Sequence, residues 1–154
     1  VAIVAARFNS FVVEHLISGA KKVLLKSGSK EKNIELFYVP GAFEIPLALK
    51  KLVGTGKFDG IIALGAVIRG GTPHFEYVCS AATQGLLRAG LDSQIPIGFG
   101  LLTVDSEQEA LDRAGLADSP QDKGSEAVGA ALSMAMLARD TFPLTARSTA
   151  TGLR

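Results

Sequence analysis

His74 is the residue of this chain best suited to acid–base chemistry. It closes the run Arg69-Gly70-Gly71-Thr72-Pro73-His74, which follows the apolar run Gly65-Ala66-Val67-Ile68. An imidazole titrates near neutrality and can both give and take a proton. Thr72 suits a helix N-cap and Pro73 a first helical position, so a helix is predicted to start there. Its unpaired N–H groups would face the Gly-Gly turn and favour an anion. The second of the two histidines, His15, lies beside Glu14 in a predicted helix and reads as a solvated or packed helix residue. No histidine pair stands at ligand spacing, so zinc is not expected. The single cysteine, Cys79, excludes an intrachain disulfide and a cysteine-cluster metal site, and reads as a small hydrophobe. Val53-Gly54-Thr55-Gly56-Lys57 lacks the spacing of a phosphate loop and reads as a plain helix-to-strand turn. No GxGxxG follows the first strand, which weighs against a dinucleotide site.

Other chemically equipped residues sit at similar punctuation. A first strand over residues 1–8 ends in Arg7-Phe8-Asn9. A helix with Val12, Leu16, Ala20 and Val23 or Leu24 on one stripe stops at Gly28. The second strand, 34–39, ends in Pro40-Gly41-Ala42-Phe43-Glu44 and leads to a helix carrying Ile45, Leu49 and Leu52. The third strand, about 60–68, is apolar on both faces, as a central parallel strand should be. The following helix carries Phe75, Val78, Ala82 and Leu86 and stops at Gly90. A fourth strand, 95–102, is read as ending in Gly98-Phe99-Gly100. A short helix over 106–114 is expected to be capped by Asp105 with Gln108 in the reciprocal position. A loop over 115–122, flanked by Arg113 and Lys123, leads to a last helix with Val128, Ala131, Leu132, Ala135 and Ala138 on one stripe. Strands alternating with helices imply an α/β fold: a three-layer αβα sandwich around a four-stranded parallel sheet. Ligands of such sheets bind beyond the carboxyl ends of the strands, where an aromatic, a carboxylate, the histidine turn and a second aromatic, Phe99, would converge.

At 154 residues the chain is long enough for one domain with a substantial core, expected over 1–140 with a disordered tail over 141–154. It is 47% hydrophobic, yet no apolar run reaches the roughly 18 residues of a membrane span. Val1 to Ala6 reads as a strand, because a basic n-region is missing. A net charge of +1, spread along the chain, gives no basic stripe for nucleic acid. A reducing cytoplasm is the default expectation.

Taken together, Arg7-Phe8-Asn9, Pro40-Gly41-Ala42-Phe43-Glu44-Ile45-Pro46, Gly65 to Val78, Leu102-Thr103, Asp112-Arg113-Ala114-Gly115 and Asp122-Lys123-Gly124 resemble the lumazine synthase family of riboflavin biosynthesis. The resemblance covers residues 1 to about 138 in the family's order. It implies a flavodoxin-like fold and the condensation of 5-amino-6-(D-ribitylamino)uracil with 3,4-dihydroxy-2-butanone 4-phosphate, releasing phosphate and water. It implies His74 as proton carrier and Arg113 as partner of the phosphate, with Gly71 and Thr72 cradling that group. Phe8 would stack on the pyrimidine, beside Asn9. Ala42, Phe43 and Glu44 would hold the ribityl chain, and Ala66, Val67 and Ile68 would contact the ring. Phe99 and Lys123 would complete the pocket, part of it from an adjacent subunit. No cofactor or metal is implied. A homo-oligomer is, and the long segment Leu116 to Asp122 resembles the pentameric members rather than the shell-forming ones. Riboflavin synthase is a candidate partner. Two rivals stand beside this reading. One is a flavodoxin-like module that holds a flavin without catalysis. The other is a shell protein with a vestigial site, against which the intact set Phe8, Glu44, His74 and Arg113 argues.

Overall fold

A computed structural model describes residues 1–141. Four strands, β1 (Ala2–Ala6), β2 (Glu35–Val39), β3 (Ile61–Ile68) and β4 (Ile97–Val104), form one sheet in the order β2-β1-β3-β4. All three pairings are parallel. This order begins the flavodoxin-like sequence of strands, with its switch point between β1 and β3. Five helices connect or cover the strands: α1 (Ser10–Lys26), α2 (Ile45–Gly54), α3 (His74–Ser93), α4 (Glu107–Leu111) and α5 (Lys123–Thr141).

The two central strands are buried on both faces, which explains why β1 and most of β3 read as unbroken apolar runs. Alternation divides them between two cores. Ile3, Ala5, Ile62, Leu64 and Ala66 pack with Val12, Leu16 and Ala20 of α1 and with Ala127, Val128 and Ala131 of α5. Ala2, Val4, Ala6, Ile61 and Ala63 pack on the other face with Ile45 and Leu49 of α2 and with Ala82 and Leu86 of α3. The expected three layers are therefore present. α1 and α5 approach closely because Gly124 carries no side chain: a Cβ there would collide with the Leu16 carbonyl.

Several boundaries differ from the sequence reading, three of them for reasons visible in side-chain contacts. α3 runs past Gly90 to Ser93 and ends at Gln94, whose φ is 57°. Gly90 instead makes room for Ile97, whose Cδ1 would lie 3.1 Å from a Cβ at that position. β4 starts at Ile97, since Ser93 Oγ takes the Ile95 N–H at 3.2 Å and holds that residue in the loop. Phe99 consequently lies near the start of β4 rather than at its carboxyl end. The cap of α4 is also displaced by one residue. Ser106 Oγ accepts the Glu109 N–H at 3.2 Å and Glu109 Oε2 accepts the Asp105 N–H at 2.9 Å. Gln108 turns to Asp112 instead, at 2.7 Å. Of the tail expected over 141–154, Thr141 closes α5 and the remainder lies outside the described residues. Among the described residues no helix is long and apolar enough to cross a membrane.

Candidate active site

A cleft of about 660 Å³ opens at the carboxyl ends of β1 and β3, at the switch point. Its floor is the end of β3, where Ala66 is buried and Val67 and Ile68 are half-buried. Three turns form its walls, and each is held in a different way.

The first turn extends β1. Arg7 N–H donates to Val39 O at 2.8 Å and Phe8 N–H to Pro40 O at 3.1 Å, so the parallel pairing with β2 continues past the strand. Asn9 then takes a left-handed conformation, φ 59° and ψ 41°, and α1 begins. Asparagine tolerates this region better than most residues. Its Nδ2 donates to Ala66 O at 2.8 Å, tying the turn to the floor of the cleft. Phe8 is left 72% exposed at the opening.

The second turn follows β2. A single 3₁₀ turn, Ala42–Glu44, is closed by Glu44 Oε2, which accepts the Gly41 N–H at 2.9 Å. Phe43 projects with 62% of its surface exposed. Two uncovered phenylalanines at one opening are costly in water unless a flat apolar partner covers them.

The third turn follows β3. Gly70 and Gly71 lie in open space, and α3 starts at His74, one residue after the position read from the sequence. Thr72 Oγ1 stands 3.5 Å from the His74 N–H, a long contact. His74 is exposed and lines the cleft. The first N–H groups of α3 point toward the turn, a setting that favours an anion. Arg69 crosses this turn. Its guanidinium reaches the Glu76 carboxylate and, at 2.7 Å, Asp105 Oδ1. The Glu76 bond, and then the Asp105 bond, push the guanidinium pKa up, and Arg69 in turn holds the Glu76 carboxyl below its usual range.

The cleft thus collects Phe8, Asn9, Ala42, Phe43, Glu44, Ala66, Val67, Ile68, Thr72 and His74. Gly71 lies between two lining residues, Gly70 and Thr72, without lining it itself. Phe99, Arg113 and Lys123 are not brought to the cleft of the same chain. Phe99 is exposed on the edge strand β4. Arg113 follows α4, with Nη1 donating to Glu109 O at 2.8 Å. Lys123 opens α5 and pairs with Glu126 at 2.6 Å. The loop between them folds back on itself: Ala114 and Asp122 form an antiparallel bridge, and Lys123 N–H donates to Arg113 O at 3.0 Å. Two cations so distant in sequence become backbone neighbours. Asp122 fixes this end of the loop by accepting the Ser125 N–H at 2.9 Å.

Four lining residues were not among the candidates: Gly41, Gly70, Phe75 and Val78. Phe75 and Val78 lie on the apolar stripe of α3 and read as core. The structure leaves both half-buried. Their position in the first turns after the strand end was the one available signal.

Residues 1–139 match the family model described as 6,7-dimethyl-8-ribityllumazine synthase. A protein of that name from Nautilia profundicola is 51% identical over 128 residues, covering 83% of this chain and 82% of the relative. One from Nitratidesulfovibrio vulgaris (strain DP4) is 53% identical over 131 residues, covering 85% and 83%. One from Kineococcus radiotolerans is 51% identical over 144 residues, covering 94% and 88%. A match of this extent includes every strand end that shapes the cleft, and the chain belongs to the 6,7-dimethyl-8-ribityllumazine synthase family of riboflavin-pathway transferases.

Proposed function

We propose that the cleft is one half of a composite active site that condenses 5-amino-6-(D-ribitylamino)uracil with 3,4-dihydroxy-2-butanone 4-phosphate. The observation that carries this reading is the meeting of uncovered Phe8, the Glu44 turn and the Thr72–His74 helix start around one cleft. Phe8 offers a face to a flat heterocycle, whose alignment supplies much of the rate. The turn of Ala42, Phe43 and Glu44 offers polar groups to the ribityl hydroxyls. Ala66, Val67 and Ile68 give the ring an apolar floor. Gly71, Thr72 and the start of α3 offer N–H groups to phosphate.

The proton traffic falls to His74. The amine attacks the ketone, the adduct loses water to form an imine, and phosphate departs by elimination. Each step moves a proton near neutral pH, which suits an imidazole beside the reacting atoms. Departing phosphate carries negative charge, which N–H groups and a guanidinium stabilise. Arg113 serves that role in a neighbouring copy's cleft, with Lys123 and Phe99 completing it. Support comes from the loop that places Arg113 and Lys123 side by side and away from the chain's own cleft. The long segment from Leu116 to Asp122 favours a pentamer over a larger shell. A cytoplasmic setting and riboflavin synthase as consumer of the product belong to the same reading. The family match weighs against a flavin-binding module without catalysis, which would have no use for His74.

The test mixes the purified chain with both substrates and follows lumazine fluorescence. Product formation is expected, and its absence at every enzyme concentration overturns the reading. Composite construction has its own test. Chains carrying His74→Ala and Arg113→Ala, unfolded together and refolded, should regain part of the lost activity through sites that take one intact residue from each. No recovery over the separate variants would return Arg113 to its own cleft or remove it from the site. Arg113→Ala alone should raise KM for the butanone phosphate, and sedimentation mass should report five chains.

A further inference from the structure

We propose that Arg69 is a positioning residue that clamps the Gly70–Gly71 turn in its phosphate-accepting shape. The proposal rests on the phosphate reading of this turn. Its basis is geometric. The backbone of Arg69 is fixed to the sheet, because its N–H donates to Val104 O at 2.9 Å and so extends the β3–β4 ladder. Its side chain then leaves the sheet in three directions. Nη1 meets Glu76 in the first turn of α3, Nε meets Asp105 after β4 at 2.7 Å, and Cζ lies 4.2 Å from the centre of the Phe75 ring. One planar side chain therefore joins the end of β3, the loop after β4 and the start of α3.

What lies between those anchors has little else to hold it. Among the described residues of this chain, a Cβ built at Gly70 or Gly71 would meet nothing within 4 Å, so none of them packs to define the turn. Pro73 has no N–H to contribute, and Thr72 Oγ1 makes only the 3.5 Å contact to His74 N–H. Two consecutive glycines have the widest conformational freedom of any dipeptide. An anion that needs their N–H groups aligned must order them, and a clamp on both ends reduces that cost before binding. Exposed ion pairs add little to folding stability, so the effect belongs in substrate affinity rather than in melting temperature.

Glu76 makes the proposal separable from simple charge. A carboxylate in the first turn of α3 stands close to the anion site. If Arg69 acted only as positive charge, replacing Glu76 by glutamine would remove repulsion and tighten phosphate. A clamp predicts the opposite, because the same substitution replaces a charged acceptor by a neutral amide oxygen and weakens one end of the clamp.

The experiment measures KM for both substrates and the competitive inhibition constant of inorganic phosphate. The full chain is compared with Glu76→Gln, Arg69→Met and Arg69→Lys. Glu76→Gln and Arg69→Met should each raise the butanone-phosphate KM and the phosphate inhibition constant by roughly five- to thirtyfold, the weight of ordering one residue's backbone. KM for the pyrimidine and the melting temperature should stay near wild type. Lysine should restore only part of the loss, since it has neither the fork nor the flat face. The double variant Arg69→Met/Glu76→Gln should be no worse than either alone. Unchanged or lowered constants in Glu76→Gln, with wild type forming lumazine and inhibited by phosphate, overturn the clamp alone. Wild type that neither forms lumazine nor binds phosphate overturns the phosphate reading, and the clamp with it.

Discussion

Asn9 gives the sharpest test of how the cleft is built. Pairing of β1 with β3 ends at Ala5 and Leu64, and beyond it the Asn9 amide takes the place of a strand donor to Ala66 O at 2.8 Å. Replacing the side chain removes that bond, a net loss of about 1 kcal/mol. Alanine adds a second loss, because φ at this position is 59° and a residue with a Cβ that makes no local bond is strained there by roughly 1–2 kcal/mol. Asn9→Ala should therefore cost about 2–3 kcal/mol. Asn9→Gly is free of the strain and should cost about 1–2 kcal/mol, including the greater freedom of its unfolded chain. For a chain of this size each kcal/mol shifts the thermal midpoint by roughly 2–4 °C. Melting measured at fixed protein concentration, so that assembly contributes equally, should rank wild type above Gly and Gly above Ala. That order inverts the usual advantage of alanine over glycine, which makes it diagnostic. Both variants should also raise KM for the pyrimidine, because Phe8 loses the anchor beside it. Asn9→Ala melting at or above Asn9→Gly would refute the strained-anchor account.

His74→Ala should lower kcat by roughly tens- to thousands-fold in the fluorescence assay, bounded above by the usual worth of a positioned acid–base group. Residual turnover should persist, because Phe8 and the turns still orient the substrates. Gly124→Ala should destabilise the fold by about 1–3 kcal/mol in denaturant unfolding, since the new methyl meets the Leu16 backbone, which cannot rotate away. Cys79 is a thiol whose pKa is pushed up, first by burial and then by the Glu76 charge. Thiolate is the reactive form, so at pH 7.5 Cys79 should react with a disulfide reagent more slowly than free cysteine. The gap should close as pH rises past the thiol range.

The fold was legible because its central strands are buried on both faces. Ala2–Ala6 and Ile61–Leu64 can be read as core strands from the apolar run alone. The start of α3 was legible from Thr72 and Pro73 to within one residue. β4 was displaced because Ile95-Pro96-Ile97 continues an apolar pattern, while the bond that removes Ile95 from the strand comes from a serine side chain. That error carried Phe99 to the wrong end of its strand. Arg69 was missed for a different reason. Its partners stand seven and thirty-six residues away, spacings set by a turn and by a β crossover and marked by no periodicity. Arg113 and Lys123 could be named from the resemblance, but their adjacency depends on a loop bridge between Ala114 and Asp122 that no local rule predicts.

The cleft has one construction rule. Its floor is strand, rigid through the sheet ladder, and its walls are turns whose backbones are intrinsically permissive: Asn9 in a left-handed conformation, Gly41, and Gly70–Gly71. Permissive backbone is what lets N–H groups and aromatic rings approach a ligand closely, yet it does not hold its own shape. Each turn is accordingly closed by the bonds of one side chain. Asn9 reaches Ala66 O, Glu44 reaches the Gly41 N–H, and Arg69 reaches Glu76 and Asp105. These three side chains make four bonds that share no partner, so their loss should act on different parts of the substrate. Asn9 governs the wall beside Phe8, Glu44 the proposed ribityl turn, and Arg69 the proposed phosphate turn. Within this arrangement a carboxylate in the cleft is not automatically a catalytic one. Glu44 already directs one oxygen to Gly41, which makes it a better former of the turn than a base and is consistent with the proposed assignment of the proton transfers to His74.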